Sequence, residues 1–341
     1  MVTFFSGPLL ALETSCDETS AAIVLGRKVL SNIVSSQVAL HEKWGGVVPE
    51  MAARAHVEAS LPVIQEALLS ANLNLNEIKG IAVANRPGLV GSLSIGVCTA
   101  KALAMSLDVP LIGVHHLEGH ILSVLADIGQ PSLFRLDHFP HLCLMVSGGH
   151  TELVQVFCPG KYKLLGQTLD DAAGEALDKS ARLMGLGSGG GKAIEEAGLD
   201  GNPKRYTLPR GLLKKPYHFS FSGLKTAVLR LLQQQGDTII LKDLAASIQE
   251  AVAEILAQKA LYAAKEQKSK TLTLVGGVAA NKRLRELLML GCKELGIEFY
   301  TPPFELCTDH AAMIGMAGSI RLANGERNGH EMDTLANASL P

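Results

Sequence analysis

One pattern occurs twice in this chain: an apolar strand turns back on itself through a small polar turn, and a later apolar strand passes through a glycine turn into a helix. In the first half the hairpin is residues 9–12 and 21–25 around an acidic, hydroxyl-rich turn, and the second unit is the strand 81–84. Pro87, Gly88 and Gly91 follow that strand and open a small-residue helix through Ala104. In the second half, strand 141–146 turns through Ser147-Gly148-Gly149-His150 into strand 151–156. Strand 271–275 then turns through Gly276-Gly277-Val278-Ala279-Ala280-Asn281 into a helix over 282–290. Periods of two and of 3.6 separate the strands from the helices, and their repetition predicts a duplicated α/β chain of two lobes. A strand, a glycine turn and a helix N-terminus together let backbone N–H groups face an anion. The polar stretch 127–140 marks the expected boundary, giving lobes at 1–126 and 127–341. The first holds an inserted loop and helices over 35–58 and a separate amphipathic helix at 63–69; the second holds a helical insertion at about 169–260.

With 341 residues, 47% hydrophobic and 19% charged, the chain is long enough for two such cores. A net charge of −2 means that any nucleic-acid contact rests on a local patch or on partner proteins. The six cysteines form no C-x-x-C pair and sit mostly in apolar runs, the pattern of reduced thiols in a cytoplasm-like compartment. The N-terminus lacks the positive segment of a secretory signal, no uncharged stretch is long enough to span a bilayer, and no membrane association is expected.

The stretch His115-His116-Leu117-Glu118-Gly119-His120 follows an apolar strand and leads into a helical pattern. His116 and His120 would share one helical face, roughly 5–6 Å apart, from which two imidazoles can hold one metal ion. A zinc-protease helix needs H-E-x-x-H, and the only intervening acid here is Glu118, so that reading weakens. A capped, solvent-facing pair is the plainer alternative; three histidines within six residues favour metal, with a third ligand from elsewhere. Asp309, in Cys307-Thr308-Asp309-His310 ahead of a helix over 311–322, is a candidate. Thr308 or Asp309 would equally cap that helix, and spacing favours the cap. Ligands at element ends are expected outside the core.

Three further stretches have a chemical and a bland reading. Acids recur every three or four residues in 169–179, lining one helix face or simply meeting solvent. Ser188-Gly189-Gly190-Gly191-Lys192 permits close backbone approach to a ligand but lacks the first glycine and the final hydroxyl residue of a P-loop. Lys204, Arg205, Arg210, Lys214 and Lys215, followed by His218-Phe219-Ser220-Phe221, are a weak RNA signal and fit an exposed loop as well. The duplicated lobes, each with a hairpin and a phosphate-facing turn, have the arrangement of the actin, Hsp70 and sugar-kinase (ASKHA) superfamily.

Taken together, the stretches Glu13-Thr-Ser-Cys-Asp-Glu18, Trp44-Gly-Gly-Val-Val-Pro-Glu50, Pro87-Gly-Leu-Val-Gly91, His115 to His120, Val146-Ser-Gly-Gly-His-Thr151, Asp170-Asp-Ala-Ala-Gly-Glu175, Phe219-Ser-Phe-Ser-Gly-Leu-Lys225, Gly276 to Asn281 and Cys307-Thr-Asp309 resemble the TsaD family of tRNA N6-adenosine threonylcarbamoyltransferases. They cover the chain nearly end to end and in family order. The resemblance implies a divalent metal on His116, His120 and Asp309, iron(II) ahead of zinc(II). It implies nucleotide and substrate contacts at Met145, Val146, Ser147, Gly148, Gly149, Asp178, Gly191 and Asn281. It also implies transfer of threonylcarbamoyl from L-threonylcarbamoyl-adenylate to N6 of adenosine 37 in tRNAs that read ANN codons. Asp17 and Glu18 are the candidate acids for deprotonating or orienting the attacking amine. Where bacterial members have Y-P-G-G-P, this chain has Ser188 to Lys192, then Ala193-Ile194-Glu195, closer to the archaeal and eukaryotic pattern; Glu195 is the implied ribose contact. Expected partners are tRNA and either accessory subunits of the TsaB and TsaE type or a second copy. The rival readings are a small-molecule kinase or ATPase of the same fold, and a non-catalytic scaffold subunit.

Overall fold

The computed structural model describes residues 2–187, 189–211 and 215–341. Ser188 of the glycine run and Lys214 of the basic cluster lie outside the described residues. The chain divides into two compact units, one of Met1–Leu136, Pro159–Lys161 and Asp309–Pro341, the other of Asp137–Cys158 and Tyr162–Thr308. The expected lobes 1–126 and 127–341 therefore differ from the observed units in three ways: the break comes later, Pro159–Lys161 joins the first unit, and the last stretch of the chain returns to it.

In the first unit, β1 (Leu9–Glu13), β2 (Glu18–Leu25) and β3 (Lys28–Ser36) form an antiparallel meander, and β4 (Gly80–Arg86) and β5 (Leu111–His115) add in parallel, in the order β3-β2-β1-β4-β5. Its helices are α1 (Val38–His41), α2 (Pro49–Ser70), α3 (Val90–Leu107), α4 (His116–Leu122) and a C-terminal helix, Ala311–Ala323. In the second unit, β6 (His141–Val146), β7 (Thr151–Cys158), β8 (Lys161–Gln167), β9 (Thr271–Val275) and β10 (Glu298–Tyr300) give β10-β9-β6-β7-β8. Here too the first pair, β6 and β7, is antiparallel, and β9 and β10 add in parallel. The repeat in sequence is thus a repeat in topology. Helices α5 (Ala173–Leu183), α6 (Gly190–Ala197), α7 (Ser222–Gln235) and α8 (Leu241–Glu266) fill the insertion, and α9 (Lys282–Leu295) follows the second glycine turn.

Strand β1 is buried along its whole length because the first sheet is covered on both faces. Alternate residues point to opposite faces. Leu10, Leu12, Ile81 and Val83 pack with Val63, Ile64 and Ala67 of α2 and Val97 and Ala100 of α3. Ala11, Val24 and Ala82 face the C-terminal helix, which comes close because it presents glycines: a Cβ on Gly315 would lie 2.9 Å from Val24, and one on Gly318 only 2.4 Å from Ala82. This close seat is why residues 309–341 belong to the first unit.

Two helical details depart from expectation. The segments 50–58 and 63–69 are one helix, α2, running straight through Pro62. Pro62 is on the exposed side, where water can satisfy the carbonyl its missing N–H leaves open. Helix α3 carries a single charge, Lys101, and by length and a mean hydropathy of 1.5 it is the one helix among the described residues that is long and apolar enough to cross a membrane. Its Leu93, Val97, Ala100 and Ala104 are instead spent on the core.

Filling the tightest seat tests the packing of the last helix. Gly318→Ala should cost about 1–3 kcal/mol, read as a lower denaturant midpoint at unchanged m-value. An unchanged midpoint would mean that the helix has room to move.

Candidate metal centre and glycine turns

Helix α4 begins where β5 ends, so strand and helix together carry the histidine stretch into the first unit's interior. His116 and His120 stand one turn apart, ring centroids 4.8 Å from each other and edge to face. Both converge on one oxygen: Asp309 Oδ1 is 2.9 Å from His120 Nε2 and 3.5 Å from His116 Nε2. One ligand atom from each residue lies within 4.8 Å of the other two, the only such group of three or more potential ligands among the described residues. Contrary to expectation the histidines are not at the periphery, being 7% and 0% exposed. They are not the solvent-facing pair of the bland reading.

The residues fit a metal ion. His116 has its Nδ1 3.1 Å from Glu13 Oε2 and 3.1 Å from the Ser15 hydroxyl, so Nδ1–H donates to the carboxylate and Nε2 is left with its lone pair toward Asp309. A carboxylate behind a ligating imidazole fixes the tautomer and ring direction that coordination needs. Two imidazoles and one carboxylate with open positions are a donor set for iron(II) or zinc(II). In the metal-free chain, burial works against a charged His116, but the Asp309 and Glu13 carboxylates outweigh it and push the imidazole up to about 9. Burial likewise opposes charge on Asp309, yet His116 and His120 hold its carboxyl well below the usual range.

Asp309 is not the cap of the C-terminal helix, nor is Thr308. His310 is the N-cap, its Nδ1 accepting the Met313 N–H at 3.2 Å. The Ala311 N–H donates to the Ser20 hydroxyl on β2 and the Ala312 N–H to Asn32 Oδ1 on β3. With the first three N–H groups of the helix satisfied by other side chains, the Asp309 carboxylate is released toward the histidines.

The other residues of the histidine stretch are fasteners. Gly119 lets α4 meet the C-terminal helix, since a Cβ there would lie 3.1 Å from Ile314. Glu118, 1% exposed, binds Arg321 of that helix through Nε at 2.8 Å and Nη2 at 2.7 Å. The acid misplaced for a protease is therefore half of the staple between the two ligand-bearing helices. His115 is not a ligand: its Nε2 lies 3.2 Å from the Ala338 carbonyl, and burial lowers its imidazole to about 4. Sequence reasoning passed over Glu13, Glu118 and Arg321; the signal was present only as acids beside the histidines and at the end of β1.

Asp17 and Glu18 sit half-buried in the turn between β1 and β2. Burial, with Asp17 and Asp309 nearby, pushes Glu18 up to about 9. Burial and the Asp17 charge also drive the Cys16 thiol far up, so it stays protonated and is no nucleophile. The turn is seated on the first glycine turn: the Ser15 carbonyl accepts the Leu89 N–H at 2.8 Å, and a Cβ on Gly88 would lie 2.6 Å from that carbonyl oxygen.

In the second unit the implied substrate residues fall into two groups. Met145 and Val146 are buried at the end of β6, and Ser147 closes the turn, its Oγ accepting the His150 N–H at 3.1 Å. Gly148 and Gly149 are exposed with open space where a Cβ would be. Gly276, at φ +91°, and Gly174 press against this turn, each too close to a backbone oxygen, at 2.5 Å, to carry a Cβ. The second group joins α5, α6 and α9. The Asp178 carboxylate lies over Gly190, and Leu177 lies against Gly191. Asn281 caps α9, its Oδ1 accepting the Leu284 N–H at 2.9 Å. Glu195, raised by burial, lines an open hollow of about 450 Å³ with Gln249, Lys282 and Arg283. Lys192 is exposed, its Nζ 3.9 Å from Glu196.

Two charged stretches find structural employment. Asp170 and Asp171 precede α5 rather than lining it. Asp170 Oδ1 accepts the Phe221 and Ser222 N–H groups, bracing the start of α7, and Lys179 bridges Asp171 and Glu175 at 2.8 Å each. In the basic cluster, Arg210 pairs with Glu254 at 2.7 Å and Arg205 with Asp243 at 3.5 Å, which takes much of its charge from any RNA patch.

Arg321→Ala takes from the buried Glu118 carboxylate the guanidinium that holds it at 2.7 Å and should cost about 1.5–3 kcal/mol, with a fall in metal affinity. Arg321→Met combined with Glu118→Gln should recover part of the loss. Equal melting temperatures for Arg321→Ala and the parent protein would show that the pair does not hold the helices together.

Comparison with known proteins agrees with this architecture. The chain resembles HypF of T. kodakarensis (TM-score 0.61, 14% identity, 95% of this chain and 49% of that one). It also resembles the activator of 2-hydroxyisocaproyl-CoA dehydratase from Clostridium difficile (TM-score 0.53, 12% identity, 93% and 96%). At these identities the likeness shows the fold alone, the duplicated ASKHA arrangement. The sequence profile described as "TsaD: tRNA N6-adenosine threonylcarbamoyltransferase" matches residues 28–316. Curated relatives bearing that enzyme's name include those of Syntrophotalea carbinolica, 49% identical over 97% of this chain and 96% of the relative, and Desulfitobacterium hafniense, 50% identical over 92% of each. The chain belongs to the TsaD family of tRNA N6-adenosine threonylcarbamoyltransferases.

Proposed function

We propose that this transferase moves the threonylcarbamoyl group of L-threonylcarbamoyl-adenylate to N6 of adenosine 37 in tRNAs that read ANN codons, in the cytoplasm. The observation that carries the reading is the convergence of His116, His120 and Asp309 on one point, with Glu13 behind the first imidazole. A metal ion held by these three supplies Lewis-acid stabilisation of charge on the donor's oxygens. The donor is a mixed carbamoyl–phosphate anhydride, so AMP leaves readily and no covalent enzyme intermediate is required. The protonated Cys16 thiol accords with that.

We assign to Asp17 and Glu18 the orientation or deprotonation of the attacking amine: the Glu18 carboxyl, kept protonated by burial and its carboxyl neighbours, orients, which leaves the proton to Asp17. The turn from Met145 to Gly149, with Asp178, Gly191, Glu195 and Asn281, is assigned to the adenylate half of the donor. Exposed glycines with no side chain in the way suit the approach of a phosphate to backbone N–H groups. A kinase of the same fold brings magnesium with its nucleotide and has no use for two buried histidines and a carboxylate. A scaffold has no use for them either. Iron(II) is the preferred ion, and accessory subunits of the TsaB and TsaE type, or a second copy, are the expected partners.

Incubating the protein with threonine, bicarbonate, ATP, an adenylate-forming enzyme and unmodified tRNA should yield the modified nucleoside, in ANN-reading tRNAs only. Arms with and without accessory proteins define the partner requirement. ATP turnover with no modified nucleoside in any arm would favour the kinase reading. His116→Ala should lose both bound metal, by elemental analysis, and transfer. A fully loaded, active His116→Ala protein would eliminate the three-residue site.

A further inference from the structure

The acidic turn has a second support, separate from the metal ligands and from the glycine turn beneath it. His56, on α2, is fully buried, and its two ring nitrogens reach the residues on either side of Asp17 and Glu18. Nε2 lies 3.0 Å from the Cys16 carbonyl oxygen and Nδ1 lies 2.7 Å from the Thr19 hydroxyl. A carbonyl oxygen only accepts, so Nε2–H donates to Cys16, and Nδ1 of the neutral ring accepts from Thr19. Burial lowers the proton affinity of the ring, which keeps it in the neutral form that both bonds require.

The grip is extended by Gln37. Its N–H donates to the Asp17 carbonyl at 3.0 Å, and its side-chain amide Nε2 is 3.4 Å from both His56 Nδ1 and the Ala52 carbonyl. The amide oxygen of Gln37 accepts from His41 Nε2 at 3.1 Å, and His41 Nδ1 accepts the Val48 N–H at 3.4 Å. A single polar chain thus runs from the start of α2, through α1 in the segment 38–48, to the backbone of the acidic turn.

We propose that His56 is a positioning residue for the transfer reaction: holding Cys16 and Thr19, it fixes the direction in which the carboxyls of Asp17 and Glu18 point. Gln37 and His41 tie that direction to the 38–48 loop. Both act through the turn, His56 bonding to the Thr19 hydroxyl and to the Cys16 carbonyl. The inference rests on the reading that the acidic turn takes part in the transfer.

Two substitutions break the grip from opposite ends. Thr19→Val removes the hydroxyl with little change in shape, and His56→Gln keeps an amide donor and acceptor but loses the two-nitrogen span of the ring between the Cys16 carbonyl and the Thr19 hydroxyl. Misplacing a reacting group by about 1 Å costs on the order of 10²-fold in rate. Each variant should therefore lower single-turnover kcat by about that factor, with metal content, melting temperature and donor KM close to the parent values. Thr19→Ser, which retains the hydroxyl, should restore the rate. In a double-mutant cycle, His56→Gln should add little to the loss already caused by Glu18→Gln, because both act at the same group. Multiplying losses in the cycle, or no rescue by Thr19→Ser, would overturn the positioning role while leaving the acids in place. Full activity of both Asp17→Asn and Glu18→Gln would instead overturn the reading of the turn, and the inference with it. If His56→Gln does not fold, the contrast between Thr19→Val and Thr19→Ser decides alone.

Discussion

The contact between α4 and the C-terminal helix is the constraint on which the candidate metal centre depends. Two of its ligands ride on one helix and the third precedes the other, so their separation is set by how closely the helices approach. Gly119 sets the distance by offering no side chain, and the buried Glu118–Arg321 pair sets the rotation. The C-terminal helix is held in turn by Gly315 and Gly318 on the first sheet and by Ser20 and Asn32 at its start. Each is a short-range, directional device, and together they place three side chains within bonding reach of one ion.

Electrostatics explains why such a place suits a cation. Glu13, Asp17, Glu18 and Asp309 gather at the end of β1 and the start of the C-terminal helix, and Glu18 is pushed up by burial and by its carboxyl neighbours. The imidazoles of His116 and His120 face these carboxyls, and His116 takes up a proton in response. A divalent ion would replace that proton and relieve the crowding at once. The Glu13–His116 bond survives the exchange, since it uses the nitrogen that faces away from the ion.

The sequence made the architecture legible because the duplication is written in periodicity: two hairpins, two strand–glycine–helix units, in matching order. It also exposed the histidine pair, whose four-residue spacing is a helical distance. What it concealed was tertiary. Spacing alone does not choose His310 over Asp309 as the cap, and nothing local says that residues 309–341 return to the first sheet, which follows from Gly315 and Gly318 meeting Val24 and Ala82 across a long sequence separation. The stretches 50–58 and 63–69 read as separate helices, yet Pro62, in an exposed position, costs α2 one hydrogen bond and not its continuity. The basic cluster is a weak RNA signal in sequence, and in the fold two of its five cations, Arg205 and Arg210, have Asp243 and Glu254 beside them. The Glu195, Asp178 and Asn281 assignments came from resemblance, and geometry adds that the first two border glycine-lined or open surfaces while the third also serves as a helix cap.

The return of the last helix to the first sheet has a consequence for how the molecule is made. A ribosome delivers β1 to β5 early, but Ala11, Val24 and Ala82 have no cover until residues 311–323 emerge, after the whole second unit has been synthesised. The early half therefore waits with one apolar face bare, the kind of surface that invites aggregation or a chaperone. The same event that covers this face delivers Asp309 to the histidines, so a truncated or stalled chain ending before the C-terminal helix lacks both a closed core and a complete set of metal ligands.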